Sequence, residues 1–173
     1  MKKFYLVFAV LAIAALALSA CGGAAAPAEE AAEVSEEDCG NEEVLCVGLV
    51  TDVGEIDDKS FNQSAWEGVE QAANELGAFT KYVETKDAKD YSANIQLFAE
   101  KDYDVIVTVG FALGEATLAE AANYPEIDFI GVDQGQWEGE VANVAGLIFP
   151  EDKAGFLAGA LAAQLSETDT IAA

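Results

Sequence analysis

The sequence has no histidine and no arginine among its 173 residues, and its eight basic residues are all lysines. Histidine is the usual general base near neutral pH and a member of the Ser-His-Asp triad, so its absence argues against enzymes that depend on it. Nucleic-acid-binding proteins hold phosphates with clustered lysine and arginine. Here 32 acidic residues give a net charge of −24, which excludes nucleic acid as an expected partner.

Cofactor and metal motifs are also missing. No G-x-G-x-x-G and no P-loop lysine motif follows the first predicted strand. The adjacent pair Asp57 and Asp58 has no further ligands at the spacing that a calcium loop requires. This pair therefore favours a solvated turn near a helix start, where acidic side chains are stabilising. We expect neither a cofactor nor a metal, and no catalytic residue.

Long hydrophobic runs are absent apart from one near the N-terminus, Phe4–Leu18, which is short for a membrane-spanning helix. Lys2 and Lys3 precede this run, and Leu18-Ser19-Ala20-Cys21 follows it. This order predicts a lipoprotein signal peptide at residues 1–20 and lipid modification of Cys21. The expected location is the extracytoplasmic face of the cell membrane. A plain secretory signal or an anchor helix is the alternative.

Residues 21–43 are small and acidic, a composition that cannot bury enough surface to offset the entropy of ordering, so we predict a flexible tether. After Cys21, the remaining cysteines Cys39 and Cys46 belong to an exported segment, where disulfides form. A bridge between them would close a loop of about eight residues and contribute about 2.5 kcal/mol in the chain-entropy treatment. Two free thiols are the alternative.

From residue 44 onwards, apolar β-branched runs alternate with segments of helical periodicity. This alternation predicts an α/β fold with three layers, a parallel sheet between helices, over residues 44–173. Ser60 with Gln63 is typical of a capping box at a helix start, and Gly77 is typical of a helix end. The predicted strands are 44–50, 79–84, 104–109, 127–132 and 143–148, and the predicted helices are 61–76, 90–101, a segment ending at 123, and 150–165.

The last predicted helix carries one apolar stripe that we expect to be buried against the sheet. Its members recur at helical spacing and are Ala154, Ala158, Leu161, Ala162 and Leu165. Gly155 and Gly159 form a G-x-x-x-G pair, which also occurs in membrane helix dimers. The helix is short and begins with charged residues, so close packing of helix on sheet is the favoured interpretation.

Three polar loops follow the carboxyl ends of predicted strands, which is where open α/β sheets bind ligands. They are residues 51–59, 110–114 and 133–140. Asp52 and Asp133 stand at strand ends, and Gly110 and Phe111 begin the second loop. Carboxylates beside aromatic rings suit a neutral polar ligand that has both a diol and a flat ring.

Each of these candidates has a purely structural alternative. Asp52 could cap a helix or a turn, and Asp133 could serve the turn Asp-Gln-Gly. Phe61 begins the apolar stripe of the first predicted helix and could be a core residue. Trp137 fits packing within its loop better than contact with a ligand.

Three separated stretches resemble one protein family, the basic membrane protein family of bacterial lipoproteins, which are PnrA-like substrate-binding proteins of ABC transporters. The first stretch is V-G-L-V-T-D at 47–52 with I-D-D-K-S-F-N-Q-S-A-W-E-G at 56–68. The second is D-V-I-V-T-V-G-F at 104–111, and the third is N-V-A-G-L-I-F-P-E-D-K-A-G-F-L-A-G at 143–159. Members of this family are usually longer and contain two lobes.

The resemblance implies a type I periplasmic-binding fold, of which residues 44–173 would be the first lobe, the second being absent. It further implies capture of a nucleoside, with purines preferred, and delivery to an ABC permease. In the family the lobes close on the ligand around a hinge, so we expect this chain to supply half a site. A lipid-anchored sensor or a surface-interaction module on the same fold is the alternative function.

The family motif D-D-K-S-F-N lines the ligand cleft, and it matches this sequence without a gap from Asp57 to Asn62. Asp58 and Ser60 are therefore expected ligand contacts. The resemblance also implies that Phe61 stacks on the base. Hydrogen bonds to the ribose would then come from Asn62 and from the two strand-end carboxylates already named. One departure is Glu55, where family members often have glycine.

Overall fold

The structure is a computed structural model that describes residues 34–135 and 141–172. The predicted signal peptide, Cys21, the first part of the predicted tether and Trp137 lie outside the described residues. Within those residues, no helix has the length and apolar character needed to cross a membrane.

Five strands form one parallel sheet in the order β2-β1-β3-β4-β5. Helices alternate with the strands, so the predicted α/β fold with a parallel sheet is confirmed. In chain order the elements are β1 (Cys46–Val53), α1 (Phe61–Leu76), β2 (Phe79–Thr85), α2 (Tyr91–Ala99), β3 (Val105–Val109), α3 (Gly114–Asn123), β4 (Asp128–Val132), β5 (Val144–Leu147) and α4 (Glu151–Leu165).

Two hydrophobic cores lie on opposite faces of the sheet, because successive side chains of a strand point to opposite sides. On one face, Ile95 and Phe98 of α2 and Ala121 of α3 pack on the strands. On the other face, Val69 of α1 packs on Leu49 and its neighbours. The first core needs a glycine in β1, since a Cβ atom at Gly48 would lie 2.6 Å from the ring of Phe98.

Asp58 caps the start of α1, and the predicted capping box of Ser60 and Gln63 is wrong. The Asp58 carboxylate accepts hydrogen bonds from the backbone N–H groups of Ser60 (2.7 Å), Asn62 (3.2 Å) and Gln63 (3.1 Å). The Ser60 side chain makes no capping hydrogen bond, and the Gln63 side chain donates to Glu67 instead. Asp58 can replace Ser60 because both side chains carry an oxygen that accepts from orphan N–H groups. The predicted helix end at Gly77 is confirmed by its left-handed backbone, with φ of 72°.

The segment just before β1 packs on the lobe, although it belongs to the predicted tether. Residues Glu36–Asp38 form a short 3-10 helix, and Cys39 is bonded to Cys46 at the start of β1. The predicted disulfide is therefore confirmed. Glu36 accepts hydrogen bonds from Lys81 and from the Tyr103 hydroxyl, so the tether prediction does not hold for this ordered segment.

Helix α4 has no buried residue, which differs from the prediction for its apolar stripe. Leu157, Leu161 and Leu165 are 67%, 58% and 70% exposed. The helix has the predicted bounds and the predicted periodicity, but its apolar stripe faces no core in this arrangement.

Candidate functional site

The carboxyl ends of β1, β3 and β4 are neighbours in the sheet, and the loops that follow them meet at one edge. Gly110, just after β3, donates its N–H to the Val132 carbonyl at 2.9 Å. A Cβ atom on Gly110 would lie 2.8 Å from Asp52 Oδ2, so the backbone there passes directly against the Asp52 side chain. The structure thus places Asp52, Gly110 and Asp133 at the same sheet edge, as the topology predicts.

Asp52 is connected to the first turn of α1 through Asn62. Asn62 Nδ2 donates to Asp52 Oδ1 at 3.2 Å and to the Glu55 carbonyl at 3.3 Å. Asn62 is 2% exposed, and its Oδ1 is buried with no hydrogen-bond donor among the described residues. The amide therefore holds one Asp52 oxygen in place. The hydrogen bond from Asn62 to position 55 uses only the backbone carbonyl of Glu55. The loop after β1 can therefore make this bond with a glutamate at the position where family members often have glycine.

The Asp58 carboxylate makes its hydrogen bonds to the backbone N–H groups at the start of α1. Partial burial raises the pKa of its carboxyl, but the three N–H donors outweigh that effect and hold the pKa below the usual range. A carboxylate with this many backbone donors fixes the first turn of α1, and with it the positions of Phe61 and Asn62. Ser60 is exposed beside it. Contact of Asp58 and Ser60 with a ligand stays a prediction.

Two aromatic rings are exposed near this edge. Phe61 is 40% exposed and lies 5.4 Å from Phe149, measured between ring centroids. Phe111 is 78% exposed and begins a 3-10 turn that leads into α3. Phe61 is therefore not an ordinary core residue. Sequence reasoning missed Phe149, although it stands in the third family-like stretch and is an aromatic just past a strand end.

Asp133 follows β4 with a left-handed backbone, φ of 59°, which aspartate tolerates better than most residues. Its N–H donates to the Leu147 carbonyl at 2.8 Å, so the loop is joined to β5. Partial burial raises the pKa of the Asp133 carboxyl, and the nearby carboxylate of Glu151 at the start of α4 raises it further. Glu151 was not among the predicted site residues.

The side chain of Gln134 joins the loop after β4 to the end of β3 at this edge, and Gln134 was not among the predicted site residues. It is 5% exposed, and its Nε2 donates to the Gly110 carbonyl at 3.0 Å, to Thr108 Oγ1 at 3.1 Å and to the Thr108 carbonyl at 3.3 Å. Gly131 has no side chain at the place that Gln134 fills, so any Cβ there would collide with the Gln134 side chain. The sequence alone did not indicate this role of Gln134, because the tripeptide Asp-Gln-Gly is typical of an ordinary turn.

A groove of about 690 Å³ lies on the α1 face of the sheet. Its lining is almost entirely apolar and includes no carboxylate, so it does not suit a diol-bearing ligand. Among the described residues, no group of three or more His, Cys, Asp or Glu side chains is placed to hold a metal ion. The carboxylates of the candidate site are at the sheet edge, and the apolar groove reaches that edge at Ser60, Phe61 and Phe149, which belong to its lining.

Comparison with known proteins identifies the family. A family model described as ABC transporter substrate-binding protein PnrA-like matches residues 46–173. The chain belongs to this family. It is 34% identical over 131 residues to the ABC transporter nucleoside-binding protein BmpA of Lactococcus lactis subsp. cremoris, covering 73% of this chain and 37% of that protein. It is 35% identical over 123 residues to an uncharacterized lipoprotein of Pyrococcus abyssi, covering 69% and 30%.

Among solved structures, an ABC transporter solute-binding protein from Aeropyrum pernix K1 superimposes with a TM-score of 0.63 and 32% sequence identity. The match covers 69% of this chain and 32% of that protein. This similarity confirms the periplasmic-binding type of fold. The chain spans less than half the length of these relatives, so it corresponds to a portion of the family's usual length.

Proposed function

We propose that this chain supplies the first-lobe half of a purine nucleoside site in a lipid-anchored ABC uptake protein. The observation that carries this proposal is the position of Asp52, which Asn62 and Gly110 hold at the sheet edge near exposed aromatic rings. The nucleoside-binding relative from Lactococcus lactis supports the ligand class.

Each part of a nucleoside matches a group at this edge. The ribose hydroxyls can donate to the free oxygen of Asp52 and to Asp133, since a carboxylate accepts more hydrogen bonds than Asn62 supplies. The flat base can stack on Phe61 or Phe111, whose rings are exposed. A hydrogen bond to a charged group contributes about 1.5–3 kcal/mol, whereas an aromatic pair adds about 0.5–1.5 kcal/mol beyond burial. The carboxylates should therefore dominate specificity.

A ligand held at one sheet edge alone is open to solvent on its far side. In two-lobed proteins closure of the second lobe excludes that solvent and adds contacts. Residues 1–173 should therefore bind nucleosides far more weakly than a two-lobed relative, since each 1.4 kcal/mol of lost contact energy costs about tenfold in affinity. Calorimetry that shows sub-micromolar binding by this chain alone would contradict the half-site.

The test of ligand class uses a two-lobed protein in which the second lobe is restored from a close relative. Titration with inosine, guanosine and their 2′,3′-dideoxy forms should show a clear preference for the ribonucleosides, because a dideoxy ligand leaves the carboxylates unpaired. Asp133→Ala should lose more affinity than Phe61→Leu, which keeps apolar bulk. Asp128→Ala is the matched control, because Asp128 is an exposed aspartate at the amino end of β4, at the opposite edge of the sheet, and its loss should leave affinity unchanged. Equal affinity for ribo and dideoxy ligands would contradict the assignment of the carboxylates to the ribose.

Membrane attachment and delivery to a permease are tested separately. Expression in a bacterial host should label the chain with palmitate and retain it in the membrane fraction. Cys21→Ser should abolish the label, while Cys39→Ser should leave it intact. A label that persists in Cys21→Ser would refute lipid anchoring, and transport assays with the cognate permease would then decide between uptake and a sensor role.

A further inference from the structure

The segment that precedes β1, residues 34–44, is joined to the lobe mainly at two points. The Glu36 carboxylate forms ion pairs with two lysines and accepts a tyrosine hydroxyl. Three residues later, Cys39 is bonded to Cys46. Val44 adds an apolar contact with a core. Within the part of the chain that the structure describes, no backbone hydrogen bond joins this segment to a strand or a helix.

The segment and the surface beneath it are both acidic. Its eleven residues include five carboxylates and no basic side chain. A Cβ atom built at Gly40 would lie 3.0 Å from the Cβ of Asp102, so the segment passes directly against an aspartate. The two lysines that hold Glu36 are 46% and 48% exposed, so their ion pairs contribute little and are screened by salt. The disulfide is therefore the attachment that salt does not weaken.

The two cysteines of the disulfide differ in their access to solvent. Cys46 is fully buried, whereas Cys39 is partly exposed. Thiol–disulfide exchange begins with attack of a thiolate on one of the two sulfurs, so its rate depends on access to that sulfur. A reductant from solvent therefore meets the sulfur of Cys39 first, and Cys46 is the leaving group.

We propose that the Cys39–Cys46 disulfide is a redox latch, which holds residues 34–44 on the lobe and lets them open locally once it is reduced. A thiolate of a dithiol reductant attacks the Cys39 sulfur and forms a mixed disulfide with it. The bond to Cys46 breaks, and the Cys46 thiolate takes up a proton. The second thiol of the reductant then closes the reductant's own disulfide and releases Cys39 as a thiol. Two electrons and two protons pass from the reductant to the two cysteines.

Opening of the latch changes the length of flexible chain in front of the lobe. This consequence rests on the lipid anchor at Cys21 that is part of the proposed function. The predicted tether then grows from residues 21–33 to residues 21–44, and its greatest reach rises from about 43 Å to about 80 Å at about 3.3 Å per residue. The match to the family model begins at Cys46, so the latch lies outside the matched residues.

Hydrogen exchange of the full 173-residue chain tests the latch without a membrane. The reporters are the amides of Asn41 and Val44, which donate within the segment at 3.2 Å and 2.8 Å. In about 1 M salt, where the Debye length is about 3 Å, dithiothreitol should speed their exchange at least about tenfold. In the reduced chain this exchange should not change with low concentrations of urea, because a local opening exposes little surface. Exchange of β3 amides, which need the lobe to unfold, should accelerate with urea.

Two variants separate the latch from other effects of the reductant. Cys39→Ser should show the fast exchange of Asn41 and Val44 both with and without dithiothreitol. Cys21→Ser is the matched control, because it also removes a thiol but leaves the bridge intact. Its exchange should respond to dithiothreitol as the unsubstituted chain does. Slow exchange of β3 amides without urea reports that the lobe of each variant is folded.

Three results would overturn the proposal. The first is exchange of Asn41 and Val44 that stays within about a factor of two on reduction of the unsubstituted chain, a measurement that needs no variant to fold. The second is exchange of these amides in the reduced chain that rises with urea as steeply as that of β3, because the segment would then open only with the whole lobe. The third is a loss of the response to dithiothreitol in Cys21→Ser. Absence of palmitate from the unsubstituted chain would instead refute the anchor and the change in reach, and the exchange results would still decide the latch.

Discussion

The Asp52 carboxylate lies directly against the backbone of Gly110, where a Cβ atom would be 2.8 Å from Asp52 Oδ2. Gly110 also has φ of 95°, a conformation that favours glycine. The loops after β1 and β3 are therefore fitted to each other at the candidate ligand edge. A side chain at position 110 would be strained in its backbone and would push Asp52 away from its partner Asn62.

Gly110→Ala should lower the free energy of unfolding by about 1–3 kcal/mol and weaken any ligand contact that uses Asp52. Gly114→Ala is the matched control, because Gly114 has helical φ of −52° and nothing within 4 Å of its built Cβ. That control should be neutral or slightly stabilising. Urea unfolding of both variants measures the difference, and similar midpoints for the two would show that the fit at Gly110 is unimportant.

Gln134→Leu should destabilise the edge, because it removes the donor of the Gly110 carbonyl and of Thr108 while keeping a similar volume. Loss of a buried hydrogen-bonding group of this kind costs about 1–3 kcal/mol. Gln71→Leu on the exposed side of α1 is the control and should change stability by less than about 0.5 kcal/mol. Urea unfolding at neutral pH compares them, and equal effects of both substitutions would contradict the role given to Gln134.

The elements of the lobe were predictable from sequence, because β-branched runs and helical periodicity are local signals. All five strands and the helix containing Phe61 lie where the pattern placed them, with differences of a few residues at the ends. The sheet edge was equally predictable, since topology alone brings Asp52, Gly110 and Asp133 together.

Two of the features that could not be predicted from the sequence depend on contacts between residues that are far apart along the chain. Glu36 belongs to an acidic stretch whose composition indicates a tether, but Lys81 and Lys101 reach it from distant segments. Gln134 bonds to Thr108, 26 residues earlier. Asp58 and Ser60 are both capping residues by type, and only the backbone path decides which side chain reaches the N–H groups.

Reduction of the Cys39–Cys46 disulfide should lower the free energy of unfolding by about 2.5 kcal/mol, given the loop of about eight residues that it closes. Urea unfolding with and without reductant measures this loss. In Cys39→Ser the reductant should have no effect, and in Cys21→Ser its effect should equal that in the unsubstituted chain. A reductant effect that survives in Cys39→Ser would assign the change to some other process.

Glu36 should make the stability of the lobe depend on pH. Its carboxylate lies 2.9 Å from Lys101 and 3.0 Å from Lys81, and it accepts the Tyr103 hydroxyl at 3.0 Å. Hydrogen bonds from Lys101, then from Lys81, lower the pKa of Glu36 from 4.5 to about 2. A carboxyl whose pKa is lower in the folded state stabilises that state above its unfolded pKa, and this contribution is lost as the pH falls through the folded pKa.

Glu36→Gln should therefore reduce the free energy of unfolding at pH 6.5 by about 1–2 kcal/mol, a value reduced for solvent screening because both lysines are nearly half exposed. Near pH 2 the carboxylate of the unsubstituted chain is half protonated, so the gap between the two proteins should have largely closed. Glu37→Gln, an exposed neighbour, is the matched control and should show no such gap. Urea unfolding at several pH values between 2 and 6.5 follows the gap directly. A difference between Glu36→Gln and the unsubstituted chain that stays constant over this range would contradict an ionised Glu36 as its cause.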